Sequence, residues 1–194
     1  MANLSIFASG NGSNFQAIAE GLQGTEHRVQ CLVCDREGAF VIERADSLGI
    51  PWHLVSYKGR RRTEAEGEVA SILDRYSIDL IALAGFMRLL SPVFVDRYHG
   101  RIINIHPSLL PKYPGTHAIV ESFDSTDNEL GITIHAVDYG MDTGPIIRQE
   151  RFVRTGTESL DEITERIHAL EHSAYPHVVR DLLNEIAARA GRST

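Results

Sequence analysis

The run from Leu80 to Ala84 is apolar at every position, and this stretch constrains the fold most strongly. A strand that is apolar on both faces must be covered on both faces, as a central parallel strand is between two layers of helices. Strand patterns at residues 4–8, 28–34 and 52–55 precede it, and each is followed by a helical pattern. This alternation of strands and helices predicts an α/β fold with a parallel sheet.

The same alternation continues to the end of the chain. A strand ends at His106, and strands are predicted at residues 130–137 and 146–152. Helices are predicted at residues 15–22, 40–48, 63–76 (capped by Thr63) and 116–123, and from Ser159 onward. We therefore predict a doubly wound, mostly parallel, seven-stranded twisted sheet with helices on both faces and ligands at the carboxyl edges of its strands. Tyr175-Pro176 should kink or restart the last helix, and residues 190–194 should be frayed.

Composition limits the class of protein. The 194 residues, 43% of them hydrophobic, suit one domain, and the net charge of -7 argues against nucleic acids or anionic membranes as partners. No apolar run approaches the roughly 18 residues of a membrane span, and no signal-peptide pattern opens the chain. Cys31 and Cys34 should point to opposite faces of one strand, so we expect no disulfide between them and a cytoplasmic location.

A glycine-rich segment, Ser9-Gly10-Asn11-Gly12-Ser13-Asn14, joins the first strand to the first helix. Its backbone N–H groups, the helix dipole and the Ser13 hydroxyl favour a bound phosphate, and a side chain at Gly12 should crowd that anion. Phe15 replaces the third glycine of the dinucleotide fingerprint, but Asp35 keeps a nicotinamide-dependent oxidoreductase as an alternative. The simplest alternative is a tight turn that uses Gly and Asn for positive φ.

The segment from Asn104 to Gly115 reads NIHPSLLPKYPG. Asn104 and His106 are two apart at a strand end, so their side chains should share a face, and the prolines should order the loop that follows. Asp142 lies in a turn after the next strand and should reach the same sheet edge. The alternative is a proline-rich surface turn beside a core histidine.

Together Asn104, His106 and Asp142 suit acyl transfer. A carboxylate favours the charged form of a nearby imidazole, and an imidazolium and an amide can both donate to an oxygen that gains negative charge. The chain has no G-x-S-x-G nucleophile elbow, so the nucleophile should belong to the substrate. Its histidines lack a metal-ligand spacing, so we expect no metal.

The segment Gly85-Phe86-Met87-Arg88-Leu89-Leu90 follows the central strand. A loop that carries large apolar side chains beyond the carboxyl end of a parallel strand is a typical ligand position. The alternative is that Met87, Leu89 and Leu90 cover the core.

Four motifs occur together in one order: SGNGSN at 9–14, LAGFMRLLSP at 83–92, NIHPSLLPKYPG at 104–115 and E-H-x-x-Y-P at 171–176. From Leu4 to about Ile186 the chain closely resembles the phosphoribosylglycinamide formyltransferase family of de novo purine (IMP) biosynthesis. The resemblance implies transfer of the formyl group of 10-formyltetrahydrofolate to the glycine amine of N1-(5-phospho-D-ribosyl)glycinamide. It implies the formyltransferase fold, small-molecule partners only, no metal, and a monomer or homodimer.

The resemblance also assigns roles to residues. It gives catalysis to Asn104, His106 and Asp142. The nucleotide-binding residues are Gly12, Ser13, Asn14, His168 and Glu171. The folate-binding residues are Arg62, Met87, Arg88, Leu89, Leu90, Val95, Asp138, Tyr139, Gly140 and Met141. It implies a cis Leu110-Pro111 bond and a single domain, residues 1–194, with a nucleotide-phosphate half of about 1–100 and a folate and catalytic half of about 101–194.

Two positions depart from the family pattern. His168 stands where relatives carry Gln or Lys. The turn Asp142-Thr143-Gly144 resembles that of methionyl-tRNA formyltransferases. Those enzymes need a basic surface to bind tRNA, and the acidic composition of this chain argues against such a surface. A formyltransferase for another amine and a non-catalytic nucleotide- or folate-binding module stay open as alternatives. The joint presence of Asn104, His106 and Asp142 favours an enzyme.

Overall fold

The computed structural model describes residues 1–191, which form one seven-stranded sheet with the order β3-β2-β1-β4-β5-β6-β7. Strands β1 to β5 pair in parallel, and β6 pairs antiparallel with both β5 and β7. The strands are β1 (Asn3–Ala8), β2 (Arg28–Cys34), β3 (Trp52–Leu54), β4 (Leu80–Leu83), β5 (Ile102–His106), β6 (Glu129–Ala136) and β7 (Ile146–Val153). The predicted α/β, mostly parallel sheet is confirmed.

Helices cover both faces of the sheet. They are α1 (Ser13–Gly21), α2 (Phe40–Ser47), α3 (Arg62–Arg75), α4 (Pro92–Arg97), α5 (Ala118–Asp124) and α6 (Leu160–Ala190). Side chains of α1, α2 and α6 pack with one face of the sheet in one core cluster, and side chains of α3 and α4 pack with the other face in a second cluster. Cys34 belongs to the first cluster and Cys31 to the second, and both thiols are free, as expected from their spacing.

Three details differ from the sequence-based predictions. Helix α3 begins at Arg62 with Arg61 as its N-cap, and not after Thr63, because the Glu64 carboxylate accepts the Arg61 backbone N–H at 3.3 Å and closes the first turn two residues earlier. Helix α5 begins at Ala118. The six-residue helix α4 was not predicted, although Ser91 caps it and Pro92 occupies its first position, which is a recognisable start signal.

Helix α6 does not restart at Pro176; it runs without a break from Leu160 to Ala190. Ala174, Tyr175, Pro176, Val178 and Val179 are all buried there, so tertiary packing holds the backbone helical where proline alone would interrupt it. The expected fraying of residues 192–194 lies outside the described residues. Within residues 1–191 no helix has both the length and the apolar character needed to cross a membrane.

Candidate active site

A cleft of about 620 Å³ opens beyond the carboxyl ends of β1, β4 and β5. Parallel strands expose their final residues and the loops after them at one edge, where side chains from distant parts of the chain can converge. The cleft is lined by residues 9–14, 83–90, 104–107, 115–116, by parts of 135–142, and by His168 and Glu171 of α6, among others.

Asn104, His106 and Asp142 meet in the middle of this cleft. Asp142 Oδ2 lies 3.5 Å from His106 Nδ1, and Asp142 Oδ1 lies 3.5 Å from Asn104 Nδ2. The same carboxylate accepts the Gly115 backbone N–H at 2.8 Å, which fixes its position. The strand period places Asn104 and His106 side by side, as predicted from their spacing.

Asp142 reaches the cleft by a route that the sequence does not predict. Strand β6 is antiparallel, so the loop after it starts level with the beginning of β5, where Ala136 pairs with Ile103. The loop then folds back over the sheet edge. Asp142 itself has a φ of 58°, in the left-handed region that Asp and Asn tolerate better than most residues.

Both ring nitrogens of His106 face acceptors. Nε2 lies 2.8 Å from the Tyr113 carbonyl oxygen, and Nδ1 faces the Asp142 carboxylate. A carbonyl and a carboxylate can only accept, so the doubly protonated ring is the form that donates on both sides. The 3.5 Å contact to Asp142 is too long for a strong hydrogen bond, which leaves the Nδ1–H able to donate to another oxygen.

His135 completes the group, and the sequence-based prediction missed it. It pairs directly with Asn104 across β5 and β6, and its Nε2 lies 3.2 Å from Asn104 Nδ2 and 3.7 Å from Asp142 Oδ1. Its Nδ1 donates to the Ala136 carbonyl at 2.9 Å, so Nε2 accepts from the Asn104 amide when the ring is neutral. The sequence held one clue to this position: His135 lies two residues after Thr133, so both side chains point to the same face of the strand.

The electrostatics of Asp142 reflect this setting. Burial acts to raise the pKa of its carboxyl, but the facing His135 ring, the Gly115 N–H and the charge of His106 outweigh burial, and the pKa is lowered. Asp142 is therefore a carboxylate throughout the neutral range.

The glycine-rich segment lies at one end of the cleft. Gly12 adopts a φ of 79° at the N-cap of α1, and Ser13 and Asn14 form the first turn. Asn14 Nδ2 donates to Glu171 Oε2 at 2.9 Å, which ties α1 to α6, and burial raises the pKa of Glu171. A Cβ at Gly12 would lie 2.4 Å from Val41 Cγ2, so a side chain there would also clash with α2.

The other end of the cleft is more apolar. Met87 and Leu89 are more than half exposed, and the loop that bears them is held by the Met87 N–H, which donates to Ser9 Oγ at 2.8 Å. Of the ten expected folate-binding residues, seven line the cleft: Met87, Arg88, Leu89, Leu90, Asp138, Gly140 and Met141.

The other three expected folate-binding residues, Arg62, Val95 and Tyr139, are outside the lining. Arg62 donates to the Leu89 carbonyl at 3.2 Å from behind the loop. Val95 is buried in the core, and the Tyr139 hydroxyl donates to Asp96. The structure thus places these residues around the apolar loop and not on the cleft surface.

Comparison with known proteins agrees with this geometry. A family model described as formyl transferase matches residues 2–179. The chain is 44% identical to phosphoribosylglycinamide formyltransferase of Bacillus subtilis (strain 168), over 94% of this chain and 95% of the relative. The chain belongs to the formyl transferase family.

Two further relatives extend this comparison within the formyl transferase family. Phosphoribosylglycinamide formyltransferase of Escherichia coli (strain K12) is 40% identical over 91% of this chain and 85% of the relative. The crystal structure of glycinamide ribonucleotide transformylase 1 from Geobacillus kaustophilus superimposes with a TM-score of 0.89 at 45% identity, covering 94% of this chain and 99% of that one. Membership of the family implies a folate-type formyl donor and small-molecule substrates.

The cleft of this formyl transferase has the parts that such a transfer needs. One end offers backbone N–H groups at a helix start, the other offers apolar side chains, and polar donors and a carboxylate lie between them. Within the described part of the chain, no group of three or more His, Cys, Asp or Glu side chains is placed to hold a metal ion.

Proposed function

We propose that this formyl transferase transfers the formyl group of 10-formyltetrahydrofolate to the glycine amine of N1-(5-phospho-D-ribosyl)glycinamide, yielding the N2-formyl product and tetrahydrofolate. The observation that supports the proposal most strongly is the convergence of Asn104, His106 and Asp142 in one cleft. They lie between the glycine-rich segment, which suits a phosphate, and the apolar loop after β4. The names of the relatives support the same reaction.

The reaction begins when the substrate amine attacks the formyl carbon, and the formyl oxygen gains negative charge. Asn104 Nδ2 and His106 Nδ1 each lie 3.5 Å from Asp142, so both can donate to that oxygen without losing a short hydrogen bond. When the tetrahedral intermediate collapses, the bond from carbon to N10 breaks. The attacking nitrogen loses a proton and N10 gains one.

Asp142 and His106 manage these protons. The carboxylate aligns the His106 ring, and with His106 it relays the proton of the amine, directly or through a water. Asn104 does not ionise and cannot transfer a proton, so its role is to donate an amide N–H that stabilises the oxyanion. His135 is a positioning residue, since it holds the Asn104 amide from the neighbouring strand.

The ends of the two substrates are assigned to the ends of the cleft. Gly12, Ser13 and Asn14 bind the phosphate, with His168 beside it, and Glu171 accepts hydrogen bonds from the ribose. Met87 to Leu90 and Asp138 to Met141 surround the pterin. Arg62, Val95 and Tyr139 do not line the cleft. Their role on the folate side is to support these loops from behind.

We also propose that the chain is one domain and works in the cytoplasm as a monomer or a homodimer. Every residue assigned to the site comes from a single chain, so either assembly contains a complete site. Sedimentation velocity over a range of protein concentrations would distinguish the two.

The test is an assay of the purified chain with both substrates, following the release of tetrahydrofolate by absorbance. Glycinamide without the ribose phosphate serves as the control amine, and we expect its kcat/KM to be lower by several orders of magnitude, because the phosphate loop is then unused. Ser13→Ala should raise KM for the nucleotide about tenfold, as for a lost hydrogen bond to a charged group, and leave KM for the folate unchanged.

The alternatives predict different results. A formyltransferase for another amine would turn over the formyl donor with that amine and not with the nucleotide. A non-catalytic module would bind one or both ligands in calorimetry without releasing tetrahydrofolate. Equal effects of Ser13→Ala on both KM values would mean that the glycine-rich loop is assigned to the wrong ligand.

A further inference from the structure

A second cavity of about 720 Å³ lies outside the cleft, in a groove between α1 and α6. We call it the α1/α6 groove. Its charged and titratable lining consists of Arg44, Arg180, His172, His177 and Glu20. Glu20 is the only carboxylate among the lining residues, so the groove is cationic in a chain whose net charge is -7.

The two arginines of the groove lack carboxylate partners. Arg44 donates to the Asn11 carbonyl at 2.9 Å, to Asn11 Oδ1 at 3.0 Å and to Gln16 Oε1, all of which are neutral acceptors. The Arg180 side chain forms no hydrogen bond or ion pair with any residue in the 1–191 range. Eight other arginines among residues 1–191 are paired with a carboxylate, whereas the charges of Arg44 and Arg180 are not neutralised in this way.

His172 supplies an independent observation. Its Nε2 atom is buried and has no hydrogen-bond partner among the described residues. A buried polar nitrogen without a partner costs free energy, and an acceptor that enters the groove would relieve that cost.

We propose that the α1/α6 groove is a second anion site, which binds a phosphate or phosphate monoester dianion through Arg44, Arg180 and His172. Guanidinium groups donate in a planar fork that matches phosphate oxygens, and the imidazole adds a further donor. The proposed reaction needs one phosphate site, in the cleft, so this groove goes beyond it.

The groove and the cleft share a wall, which gives the second site a consequence. Ser13 lines both cavities, and α6 carries His168 into the cleft and His172 into the groove, with their rings stacked 6.3 Å apart. Two dianions on either side of Ser13 repel each other. An anion in the groove therefore raises KM for the nucleotide and leaves kcat unchanged.

The titration of His172 reports on occupancy. The pKa of His172 is lowered by burial first, and then by the charges of His168 and Arg44. The charged groups around it are His168 and Glu171 on α6, Arg44 on α2, and, further along the groove, His177, Arg180 and Glu20. A dianion adds an opposite charge and an acceptor, so its binding raises the pKa of His172.

The experiment is proton NMR of the histidine C2–H signals of the full chain, with His172 assigned from the spectrum of His172→Gln. The protein is first saturated with the nucleotide substrate, without the formyl donor, so that the phosphate loop is occupied. Sodium phosphate, or in a second series glycerol 3-phosphate, is then added at constant ionic strength against sodium chloride. We expect a saturable rise in the pKa of His172. Comparison of the two dissociation constants then shows whether the groove prefers free phosphate or a phosphate monoester.

Arg180→Gln is the test variant, and Arg28→Gln is the matched control, because Arg28 is exposed at the start of β2 and does not line the groove. Arg180→Gln should weaken phosphate binding about tenfold, as for loss of a charged hydrogen-bond donor, and keep the turnover number. Arg180→Lys keeps the positive charge but loses the planar guanidinium, so its affinity for phosphate should lie between that of Arg180→Gln and that of Arg28→Gln.

The proposal is overturned if phosphate produces no saturable change at His172 in the nucleotide complex, or if Arg28→Gln weakens binding as much as Arg180→Gln. If the nucleotide itself does not bind, the proposed reaction fails. In that case, phosphate binding by Arg180→Gln and Arg28→Gln, measured without the nucleotide, still tests whether the α1/α6 groove is an anion site.

Discussion

At the scale of single residues, Asp142 is the group on which the proposed mechanism depends most. Its carboxylate faces His106, Asn104 and His135 and is held by the Gly115 N–H. Asp142→Asn removes the charge at nearly constant shape, and Asn tolerates the φ of 58° equally well. We expect kcat to fall by roughly 10²-fold or more, as for loss of a positioned proton-transfer partner, with both KM values nearly unchanged.

The pH profile of this variant is the second measurement. Because the Asp142 pKa is lowered in the folded chain, its carboxylate contributes stability that is lost only as pH falls through that lowered pKa. Any limb of the kcat profile between about pH 6 and pH 8 therefore belongs to groups other than Asp142. Asp142→Asn should shift or remove that limb, and near-normal turnover with an unchanged profile would contradict the pairing of Asp142 with His106.

Glu171 is predicted to make the native chain less stable as pH rises. Burial raises its pKa, while the Asn14 hydrogen bond and His168 only partly oppose the shift. From the ordinary glutamate pKa of about 4.3 upward, the folded state binds more protons than the unfolded state, so stability falls through this window. Glu171→Gln does not titrate, and its Tm relative to the native chain should rise with pH; a pH-independent difference would contradict the burial effect.

At the scale of secondary-structure elements, the contact between α1 and α6 supports one wall of the cleft. A Cβ at Gly21 would lie 2.7 Å from Pro176 Cβ, and the proline ring is rigid. Gly21→Ala should therefore destabilise the chain by about 1–3 kcal/mol, as overpacking does, despite the better helix propensity of alanine. Urea unfolding of the variant measures this difference.

Gly67 provides the matched control for this prediction. It lies in the interior of α3, and a Cβ there would meet no heavy atom within 4 Å. Gly67→Ala should stabilise the chain by about 0.5–1 kcal/mol, because alanine loses less backbone entropy in a helix. If both substitutions changed the stability in the same direction, close packing would not be what selects glycine at position 21.

At the scale of the whole molecule, the two halves of the chain share one sheet. Strand β4 of the first half pairs with β5 of the second. The fully buried Tyr175 of α6 donates to the Leu83 carbonyl at 2.9 Å and to the Ile103 carbonyl at 3.3 Å, so it bridges both strands. We therefore expect one cooperative unfolding transition, as for a single domain.

The measurement compares two probes during urea unfolding. Fluorescence of the single tryptophan, Trp52, reports on β3 at the edge of the first half, and far-UV circular dichroism reports largely on the helices, of which α6 with 31 residues is the longest. Coincident transitions support one domain. Separate midpoints would show that the nucleotide-phosphate and folate halves unfold independently.

The sequence alone determined the parts of this protein that depend on near neighbours in the chain. Strand and helix periods predicted the seven strands and the α/β class, and a spacing of two predicted that Asn104 and His106 share a face. The predicted start of the last helix at Ser159 is confirmed: Ser159 and Glu162 form a capping box there, which is closed within four residues. Such features need no knowledge of the rest of the fold.

Only the tertiary structure decided which distant groups meet. It made β6 antiparallel, placed His135 opposite Asn104, and folded the 137–145 loop back so that Asp142 faces both. It also kept α6 helical through Pro176, since packing against α1 and the sheet outweighs the local preference of proline. The physical reason is the same in each case: strand pairing and burial are set by partners far away in sequence, and local patterns carry no record of them.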